Sequence, residues 1–382
     1  MSEEIRICFT GGATGGHFFP LLFTLRELKK IAQEKNLKLK FYYIGVEPLD
    51  KKTFEEEGVK IYILPSFKIR RYFSLENFID IFLKAPIAFL LSFFYLFLIM
   101  PDVLFSKGGT SAFPPVFVAW LFKIPVLVHE SDTIPGWTNK VSSKFSRKIA
   151  LAFEEAKKFF QNKETLVIGQ PIDERIIYSP ILKEDYERFQ LDPQEKLILV
   201  LGGAQGSQFL NELIIQSLPH LLKIAQVVHL TGKKFFQETY FLALKIIRQS
   251  IPLREKYYKI FPFLRNEDVL ILMKMADLVI ARAGAGTIFE IAALGKPSIL
   301  IPLSEEVVGG HQKENALVYS KTGAAYFLEE NNAKPHLLSF YAEQILTNSE
   351  ISEKMKKAAL NFYKPGSAQR LAEEILYLAK RG

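Results

Sequence analysis

Short apolar segments that run directly into glycine-rich turns recur along the chain, and they restrict its fold more than any other feature. The clearest pairs are Ile5–Phe9 with Thr10–His17, Lys196–Leu201 with Gly202–Ser207, and Asp277–Ile280 with Ala283–Gly286. A segment with helical spacing of apolar residues follows each turn, so the repeated unit is strand, turn and helix. This alternation predicts an α/β fold with parallel, doubly wound sheets. The turns fall at the carboxyl ends of the strands, where such sheets bind ligands.

The strand–turn–helix pattern starts twice, which indicates two similar halves. The first half ends near Ile168, the segment Gly169–Pro171 is the predicted hinge, and the pattern restarts at Lys196. With 382 residues, the chain is long enough for two domains. We predict domain bounds of 1–168 and 169–363, and a cleft between two such halves is suited to hold two substrates.

The stretch from Ala281 to Asn315 predicts an anion site. The helix that follows the turn presents free backbone N–H groups and the positive end of its dipole. Glu290 lies about one turn into that helix, where its carboxylate can bind a sugar diol beside the anion. This combination suggests a nucleotide, with its diphosphate on the turn and its ribose on Glu290. The alternative is a simple capping box, with Thr287 at the cap and Glu290 three residues later.

Three further polar residues, His311, Gln312 and Asn315, have the spacing of one helix face and favour a site near that turn. In the first half, His17 stands where the first glycine loop meets a helix that we predict to open at Pro20. A helix dipole there disfavours the imidazolium form, so His17 is a candidate general base. An ordinary loop histidine is the alternative.

The composition restricts the class of binding partner but does not identify a particular one. The net charge of +8 fits an anionic partner, such as a nucleic acid, a nucleotide-sugar or an anionic membrane surface. Aromatic and basic residues do not interleave as on an RNA-binding surface, so we predict no nucleic-acid partner. A single cysteine, Cys8, excludes an internal disulfide and any cysteine-based zinc site. No signal peptide precedes the first strand, which predicts a cytoplasmic compartment.

The segment Phe78–Met100 is unusually apolar, with no charge from Ala85 onward. A membrane-spanning helix needs about 20 apolar residues, and this run is shorter. The sequence favours a buried or surface-lying helix over a span. Together with Lys84 and with Lys68, Arg70 and Arg71, it predicts a peripheral patch that contacts an anionic membrane.

Six motifs in order resemble the MurG family of UDP-N-acetylglucosamine transferases. They are Thr10–Pro20 (TGGATGGHFFP), Ser106–Gly109, His129–Glu130 with Thr138–Lys140, Gly202–Asn211, Ala281–Glu290 (ARAGAGTIFE) and His311–Ala316 (HQKENA). They run from Phe9 to about Gly323 and so cover most of the chain. One such motif is a weak signal, whereas six in order at matching spacing are specific.

The resemblance implies a GT-B glycosyltransferase fold of two Rossmann-like domains with an interdomain cleft, with the last helix, in 364–382, packed back on the first domain. It implies inverting transfer of GlcNAc from UDP-GlcNAc to the 4-hydroxyl of MurNAc on lipid I, which gives lipid II for peptidoglycan synthesis. It places the enzyme at the cytoplasmic face of the cell inner membrane, as a peripheral protein. We predict no cofactor and no obligatory metal, because helix N-termini can stabilise the departing UDP.

The resemblance also implies roles for individual residues. His17 and Glu290 are the predicted catalytic pair, with His17 as base and Glu290 on the ribose. The predicted substrate-binding residues are Thr14, Gly15, Gly16, Asp132, Asn139, Ala204, Gln205, Gly206, Leu264, Ala285, Gly286, Thr287, Ile288, Phe289, His311, Gln312 and Asn315. Within this set, Leu264 lies near the uracil, and Gln312 and Asn315 hold hydroxyls of the donor sugar.

Three positions depart from the family pattern, which commonly has Asn, Arg and Ser where this chain has Asp132, Asp173 and Ala204. Arg175 is a candidate substitute for the missing arginine. Other readings remain open: a glycolipid synthase or a UDP-GlcNAc epimerase of the same fold, or a non-catalytic nucleotide-binding relative. The apolar segment Phe78–Met100 argues against an epimerase, which needs no lipid acceptor.

Overall fold

The computed structural model describes residues 4–67, 80–203, 205–303 and 310–381. The chain divides into two compact units: unit 1 is Met1–Ile172 with Gly366–Gly382, and unit 2 is Asp173–Pro365. Each unit is built around a parallel sheet with helices on both faces, which confirms the predicted α/β class. Ala204 and the basic residues Lys68, Arg70 and Arg71 lie outside the described residues, as does the start of the apolar segment at Phe78.

Among the described residues, unit 1 contains a seven-stranded sheet in the order β3-β2-β1-β4-β5-β6-β7. Its strands are β1 (Glu4–Thr10), β2 (Lys38–Gly45), β3 (Val59–Ile63), β4 (Val103–Ser106), β5 (Val126–Glu130), β6 (Lys148–Leu151) and β7 (Thr165–Val167). The helices between them are α1 (Gly15–Glu34), α2 (Lys51–Glu56), α3 (Ala85–Ile99), α4 (Phe113–Leu121) and α5 (Trp137–Ser143). The strand order reverses direction between β1 and β4, so the loops after these two strands border the usual ligand crevice of a doubly wound sheet.

Among the described residues, unit 2 contains a six-stranded sheet in the order β10-β9-β8-β11-β12-β13. Its first helices are α6 (Glu174–Tyr178) and α7 (Lys183–Phe189), and its strands are β8 (Leu197–Leu201), β9 (Gln226–Leu230), β10 (Tyr258–Phe261), β11 (Leu278–Ala281), β12 (Ser298–Leu300) and β13 (Ala325–Phe327). The later helices are α8 (Gln208–Ile224), α9 (Phe236–Ser250), α10 (Asn266–Met275), α11 (Ala285–Ala293), α12 (His311–Lys321), α13 (Pro335–Thr347) and α14 (Ser349–Phe362). Here the order reverses between β8 and β11, which are followed by the other two glycine turns.

The last helix of the chain, α15 (Ser367–Ala379), belongs to unit 1. Its apolar face, which includes Leu371 and Ile375, lies in the same buried cluster as Leu21 and Leu25 of α1. The start of α15 is fixed by a hydrogen bond of 2.7 Å from the Ser367 hydroxyl to the Ile168 carbonyl. Unit 1 is therefore completed by a segment that follows the whole of unit 2 in the sequence.

One predicted helix start is wrong, and so is the alternative reading of a second. Helix α1 begins at Gly15 and not at Pro20, which is the sixth helical residue and lacks the N–H that would bond to the Gly16 carbonyl. Helix α11 begins at Ala285 with Gly284 at the cap, so Thr287 lies in the first turn and is not the cap residue. The capping-box reading of Thr287 and Glu290 is therefore excluded, because that motif requires the two residues at the cap and third positions.

Candidate active site

The first glycine loop places His17 at the β1 edge of the crevice in unit 1. His17 is the third residue of α1, half-buried, and its Nδ1 lies 2.8 Å from the Thr14 hydroxyl oxygen. A Cβ added at Gly109 would stand 3.0 Å from the Cα of Gly12, so the loops after β1 and β4 are in close contact. Burial and the nearby charge of Lys107 lower the pKa of His17 to about 4. The imidazole is therefore neutral at pH 7 and able to accept a proton.

The loop after β4 contributes a buried lysine that was not among the predicted site residues. Lys107 is almost fully buried, and its ammonium donates a hydrogen bond to the Ser131 hydroxyl. Ser131 in turn donates to the Gln170 side-chain carbonyl at 2.6 Å. Burial lowers the pKa of Lys107 to about 8, although the carboxylates of Glu130 and Asp132 oppose this shift. Sequence analysis placed Lys107 in the motif Ser106–Gly109 but did not predict its burial, because lysine side chains are rarely buried.

The loop after β5 is shaped by Glu130, which brings Asp132 and Asn139 to the same edge of the sheet. The Glu130 carboxylate accepts hydrogen bonds from the Asp132 amide at 2.9 Å, the Gly136 amide at 3.2 Å and the Asn139 side chain at 2.9 Å. Asn139 also packs on Gly108, where an added Cβ would meet its Oδ1 at 2.6 Å. Burial and the charge of Asp132 raise the pKa of Glu130. Glu130 organises this loop, a role that sequence reasoning did not predict although it placed Glu130 in a motif.

In unit 2, the turn after β11 leads into the N-terminus of α11, and no described side chain caps this helix. The amides of Ala285, Gly286 and Thr287 occupy the first turn, where backbone N–H groups have no partner within the helix. Gly284 is in an extended conformation that turns the chain into the helix. This is the geometry of an anion site, because N–H groups and the helix dipole converge on one point.

Glu290 lies in the second turn of α11 and is partly exposed. Burial of its carboxyl, together with the charge of Asp173, raises the pKa of Glu290 to about 8. Its neighbours Ile288 and Phe289 were predicted to bind substrate, but both are fully buried. Their side chains belong to the core, and the Ile288 amide donates to the Gly284 carbonyl at 3.0 Å within the helix, so the structure does not support either residue as a contact for a ligand.

The loop after β8 carries Gln205 and Gly206 at the other edge of the crevice in unit 2. Gly206 has φ of +77°, and a Cβ there would stand 2.1 Å from the Thr231 carbonyl oxygen, so only glycine fits. The loop is tied to β11 by Arg282, a buried residue whose guanidinium donates to the Ser207 hydroxyl and to the Ile301 carbonyl, the latter at 2.9 Å. Sequence reasoning placed Arg282 in a motif but gave it no role.

Helix α12 carries the three predicted polar residues, of which Asn315 contacts the turn after β11. Asn315 is fully buried, and its side-chain amide donates to the Ala283 carbonyl at 3.4 Å. The Gln312 side-chain carbonyl accepts from the Leu303 amide at 3.2 Å, and His311 is half-buried at the helix start. Leu264 follows β10, two strands away from β8, and is half-buried.

Asp173 and Arg175 form an ion pair at the start of unit 2. The guanidinium of Arg175 donates to both carboxylate oxygens of Asp173, at 2.9 and 2.6 Å. Asp173 is buried, whereas the side chain of Arg175 is 62% exposed. The charge that raises the pKa of Glu290 is thus itself partly compensated by an exposed cation.

Both halves of the chain match models of one enzyme family. Residues 7–151 match the glycosyltransferase family 28 N-terminal domain, and residues 197–371 match the glycosyltransferase family 28 C-terminal domain. The chain is 32% identical to the UDP-N-acetylglucosamine–N-acetylmuramyl-(pentapeptide) pyrophosphoryl-undecaprenol N-acetylglucosamine transferase of Clostridium kluyveri, covering 98% of this chain and 99% of that protein. It is 35% identical to transferase 2 of the same description from Bacillus cereus, covering 94% and 95% of the two chains.

Solved structures with the same fold include two kinds of protein. Acinetobacter baumannii MurG matches with a TM-score of 0.70 at 23% identity, covering 98% of this chain and 99% of that one. A UDP-GlcNAc 2-epimerase from Neisseria meningitidis, bound to UDP-GlcNAc, matches with the same TM-score at 13% identity and covers 100% of both chains. At these identities the likeness establishes the fold alone, so the two TM-scores do not separate the two activities.

Proposed function

Since the chain belongs to the MurG family of UDP-N-acetylglucosamine–N-acetylmuramyl-(pentapeptide) pyrophosphoryl-undecaprenol N-acetylglucosamine transferases, we propose that it transfers GlcNAc from UDP-GlcNAc to lipid I. The product is lipid II, and the process served is peptidoglycan synthesis. The observation that carries the proposal is identity of about one third with such transferases over nearly the whole length of both chains. The GT-B fold predicted from the six motifs is confirmed by the family 28 domains and by the fold of the MurG structure.

We propose that unit 2 binds the donor. The free amides of Ala285, Gly286 and Thr287 receive the diphosphate, because they sit at the positive end of α11. Glu290, one turn further along, accepts hydrogen bonds from the ribose hydroxyls. Gln205 and Gly206 border the phosphates from the β8 loop. Leu264 lies near the uracil, and Gln312 and His311 face the donor sugar. The buried Asn315 acts through the turn, since its side chain holds the Ala283 carbonyl.

Unit 1 in this proposal binds the acceptor and supplies the base. Thr14, Gly15, Gly16, Asp132 and Asn139 line the acceptor side, and His17 removes the proton from the MurNAc 4-hydroxyl. When His17 Nδ1–H donates to the Thr14 hydroxyl oxygen, Nε2 carries a free lone pair for that proton. The 4-oxygen bonds to the anomeric carbon of GlcNAc as the bond from that carbon to the UDP oxygen breaks. UDP leaves with the electron pair and is stabilised by the N-terminus of α11.

The experiment that tests this function measures transfer of labelled GlcNAc from UDP-GlcNAc to a lipid I analogue, with and without a chelator. We expect a disaccharide product with one UDP released per transfer, at the same rate in both conditions. An assay without acceptor, for conversion of UDP-GlcNAc to its 2-epimer, tests the rival that shares the fold. Epimerisation without transfer would replace the proposal, and failure to bind UDP would favour a non-catalytic relative.

The charge of Asp173 predicts how donor binding responds to pH. Because Asp173 contributes to the raised pKa of Glu290, about 8, the carboxylate needed for the ribose forms only as pH rises through that value. UDP affinity should therefore increase from pH 6.5 to 9. In Asp173→Asn the lost charge lowers the pKa of Glu290, so the same increase should occur at lower pH.

Isothermal titration with UDP across that pH range measures the effect. The matched control is Arg175→Gln, which leaves the Asp173 charge uncompensated and should move the increase to higher pH. If Arg175 also contacts phosphate, its loss lowers UDP affinity by a further factor that does not vary with pH. Identical pH profiles in wild type and Asp173→Asn would contradict the proposed coupling.

We also propose that helix α3 attaches the enzyme to the cytoplasmic face of the cell inner membrane, as a peripheral protein. The buried face of α3 is Ala88, Ser92, Leu96 and Ile99. Its other face leaves large apolar side chains in solvent: Ile87, Leu90, Phe93, Phe94, Phe97 and Leu98 are each 47–71% exposed. By length and composition, Phe82–Ile99 could also cross a bilayer, but the fixed packing of one face on the sheet supports attachment at the surface.

The exposed face of α3 predicts a large loss of membrane binding on substitution. The triple change Leu90→Ser, Phe94→Ser and Phe97→Ser should weaken binding to phosphatidylglycerol vesicles by roughly 100-fold, because three half-inserted side chains lose their transfer free energy. Cosedimentation with vesicles measures this, and Phe241→Ser in unit 2, where Phe241 is 65% exposed, is the matched control. Equal sedimentation of the triple variant and wild type would exclude α3 as the attachment surface.

A further inference from the structure

A chain of buried hydrogen bonds crosses the sheet of unit 2 beneath the β8 glycine loop. His229 on β9 has its Nδ1 2.9 Å from the Tyr258 hydroxyl of β10 and its Nε2 3.0 Å from Asn211 Oδ1 of α8. The Asn211 side-chain amide donates to the Thr231 carbonyl at 3.1 Å. All four residues are buried, and neither His229 nor Thr231 has any exposed surface.

The direction of each hydrogen bond in this chain is fixed by the carbonyl at its end. The Thr231 carbonyl can only accept, so Asn211 presents its NH₂ group to it and its Oδ1 to His229. His229 must then carry its proton on Nε2, which leaves Nδ1 to accept from the Tyr258 hydroxyl. Burial lowers the pKa of His229 to about 3, so the ring stays neutral and keeps this single tautomer.

The glycine loop rests on the peptide that this chain holds. A Cβ at Gly206 would be 2.1 Å from the Thr231 carbonyl oxygen, and a Cβ at Gly232 would be 2.6 Å from the Gln205 carbonyl oxygen. These distances mean that backbone packs directly on backbone, so a shift of the Thr231–Gly232 peptide moves Gln205 and Gly206 with it. The peptide is also fixed from the other side, because the Thr231 amide donates to the Phe261 carbonyl at 3.1 Å.

We propose that His229 is a positioning residue for the donor site, and that donation from its Nε2–H to Asn211 holds the Thr231 carbonyl on which the glycine loop rests. This inference rests on the proposed function, in which Gln205 and Gly206 border the donor phosphates. His229 does not touch the donor in this scheme. It acts through Asn211. The hydrogen bond from the Tyr258 hydroxyl orients the imidazole ring but does not position the glycine loop.

Two amide substitutions test the hydrogen bonds of the two His229 ring nitrogens separately. In His229→Gln the side-chain NH₂ reaches the former Nε2 position and can still donate to Asn211. In His229→Asn the shorter amide reaches only the Nδ1 position, so Asn211 loses its donor. We expect UDP affinity within about threefold of wild type for His229→Gln and about tenfold weaker for His229→Asn, the usual effect of one hydrogen bond. KM for UDP-GlcNAc should follow the same order, while KM for the lipid acceptor stays unchanged.

A general loss of packing would give a different result. Tyr258→Phe removes the bond at the far end of the chain, so it should lower the melting temperature as His229→Asn does but leave UDP affinity within about threefold. If His229→Asn does not fold, Asn211→Leu breaks the same link at similar volume and carries the same expectation. UDP affinity that follows melting temperature across these variants, or equal affinity of the Gln and Asn variants, would overturn the inference.

The failure of this inference is distinguishable from failure of the proposed function. If the wild-type protein neither binds UDP nor transfers GlcNAc, the proposed function is refuted, whatever the variants do. Wild type that binds UDP and transfers GlcNAc, with His229→Asn unchanged in both, refutes only the positioning role.

Discussion

Replacing His17 by alanine should lower kcat for GlcNAc transfer by about 10²- to 10⁴-fold, the range attributed to a general base. The affinity for UDP should not change, because His17 belongs to unit 1 and the proposed donor residues belong to unit 2. Steady-state transfer and UDP titration measure the two effects. His220→Ala, on the exposed face of α8, is the control histidine. Transfer at the wild-type rate in His17→Ala would exclude His17 as the base.

The pH dependence gives a second measure of the same assignment. Burial and the Lys107 charge lower the pKa of His17 to about 4, so the active neutral form persists down to that pH. At saturating UDP-GlcNAc, where the Glu290 titration no longer limits donor binding, the acid limb of kcat should lie near pH 4 instead of near 6.5, the usual value for histidine. Lys107→Met removes one cause of the shift and should move this limb to higher pH. If the acid limb does not move in Lys107→Met, the charge of Lys107 does not lower the pKa of the base.

Replacing Glu290 by alanine should weaken UDP binding by about 100-fold, because two hydrogen bonds to a carboxylate are lost. Glu290→Gln keeps one acceptor and should lose about tenfold. The contact with the ribose is tested by 2′-deoxy-UDP, which should bind much more weakly than UDP to wild type but almost equally to Glu290→Ala. Glu343→Ala, an exposed carboxylate on α13, is the control. An undiminished preference for UDP in Glu290→Ala would place the ribose elsewhere.

The raised pKa of Glu290 also predicts a stability effect without nucleotide. A carboxyl with a folded-state pKa of about 8, above its ordinary value of 4.5, holds a proton in the folded state that the unfolded state releases. The free energy of unfolding should therefore fall as pH rises from about 4.5 through 8. Glu290→Gln removes this titration and should flatten the dependence between pH 6 and 9. Denaturant unfolding at several pH values measures it, and unchanged slopes would contradict the shifted pKa.

The sheets and their glycine turns were predictable because their signals are local. Strands such as Leu197–Leu201 are buried on both faces and read as unbroken apolar runs, and a glycine turn follows at once. Parallel strands place such turns at one edge, so His17 and the loop of Lys107 could be expected near each other once β1 and β4 are neighbours. Strand β13 (Ala325–Phe327) was not predicted; unlike the equally short β7 and β12, it contains no β-branched residue.

Helix starts were less predictable, since residues that often begin a helix also occur inside one. Pro20 usually opens a helix, and Thr287 with Glu290 has the spacing of a capping box. In both places the helix instead begins inside the predicted glycine-rich turn, at Gly15 and at Ala285. The same early start leaves amides at the turn, which is the property that the proposed donor site needs.

The buried polar partners could not be predicted from sequence at all. Lys107 and Arg282 belong to types that are rarely buried, and each is stabilised by partners far along the chain. The link from His229 to Asn211 joins a strand to a helix, and no spacing in the sequence encodes it. Such pairs depend on the tertiary arrangement, which periodicity does not specify.

The position of α15 has a consequence for biosynthesis. The core of unit 1 includes Leu371 and Ile375, so it stays incomplete on the ribosome until all of residues 173–365 have been made. At roughly 5–20 residues per second, synthesis of these residues alone takes on the order of 10–40 s, and one flank of α1 stays uncovered throughout. During this interval a nascent chain presents apolar surface that chaperones recognise. Unit 2 is continuous and can finish folding first, so the order of maturation is the reverse of the order of translation.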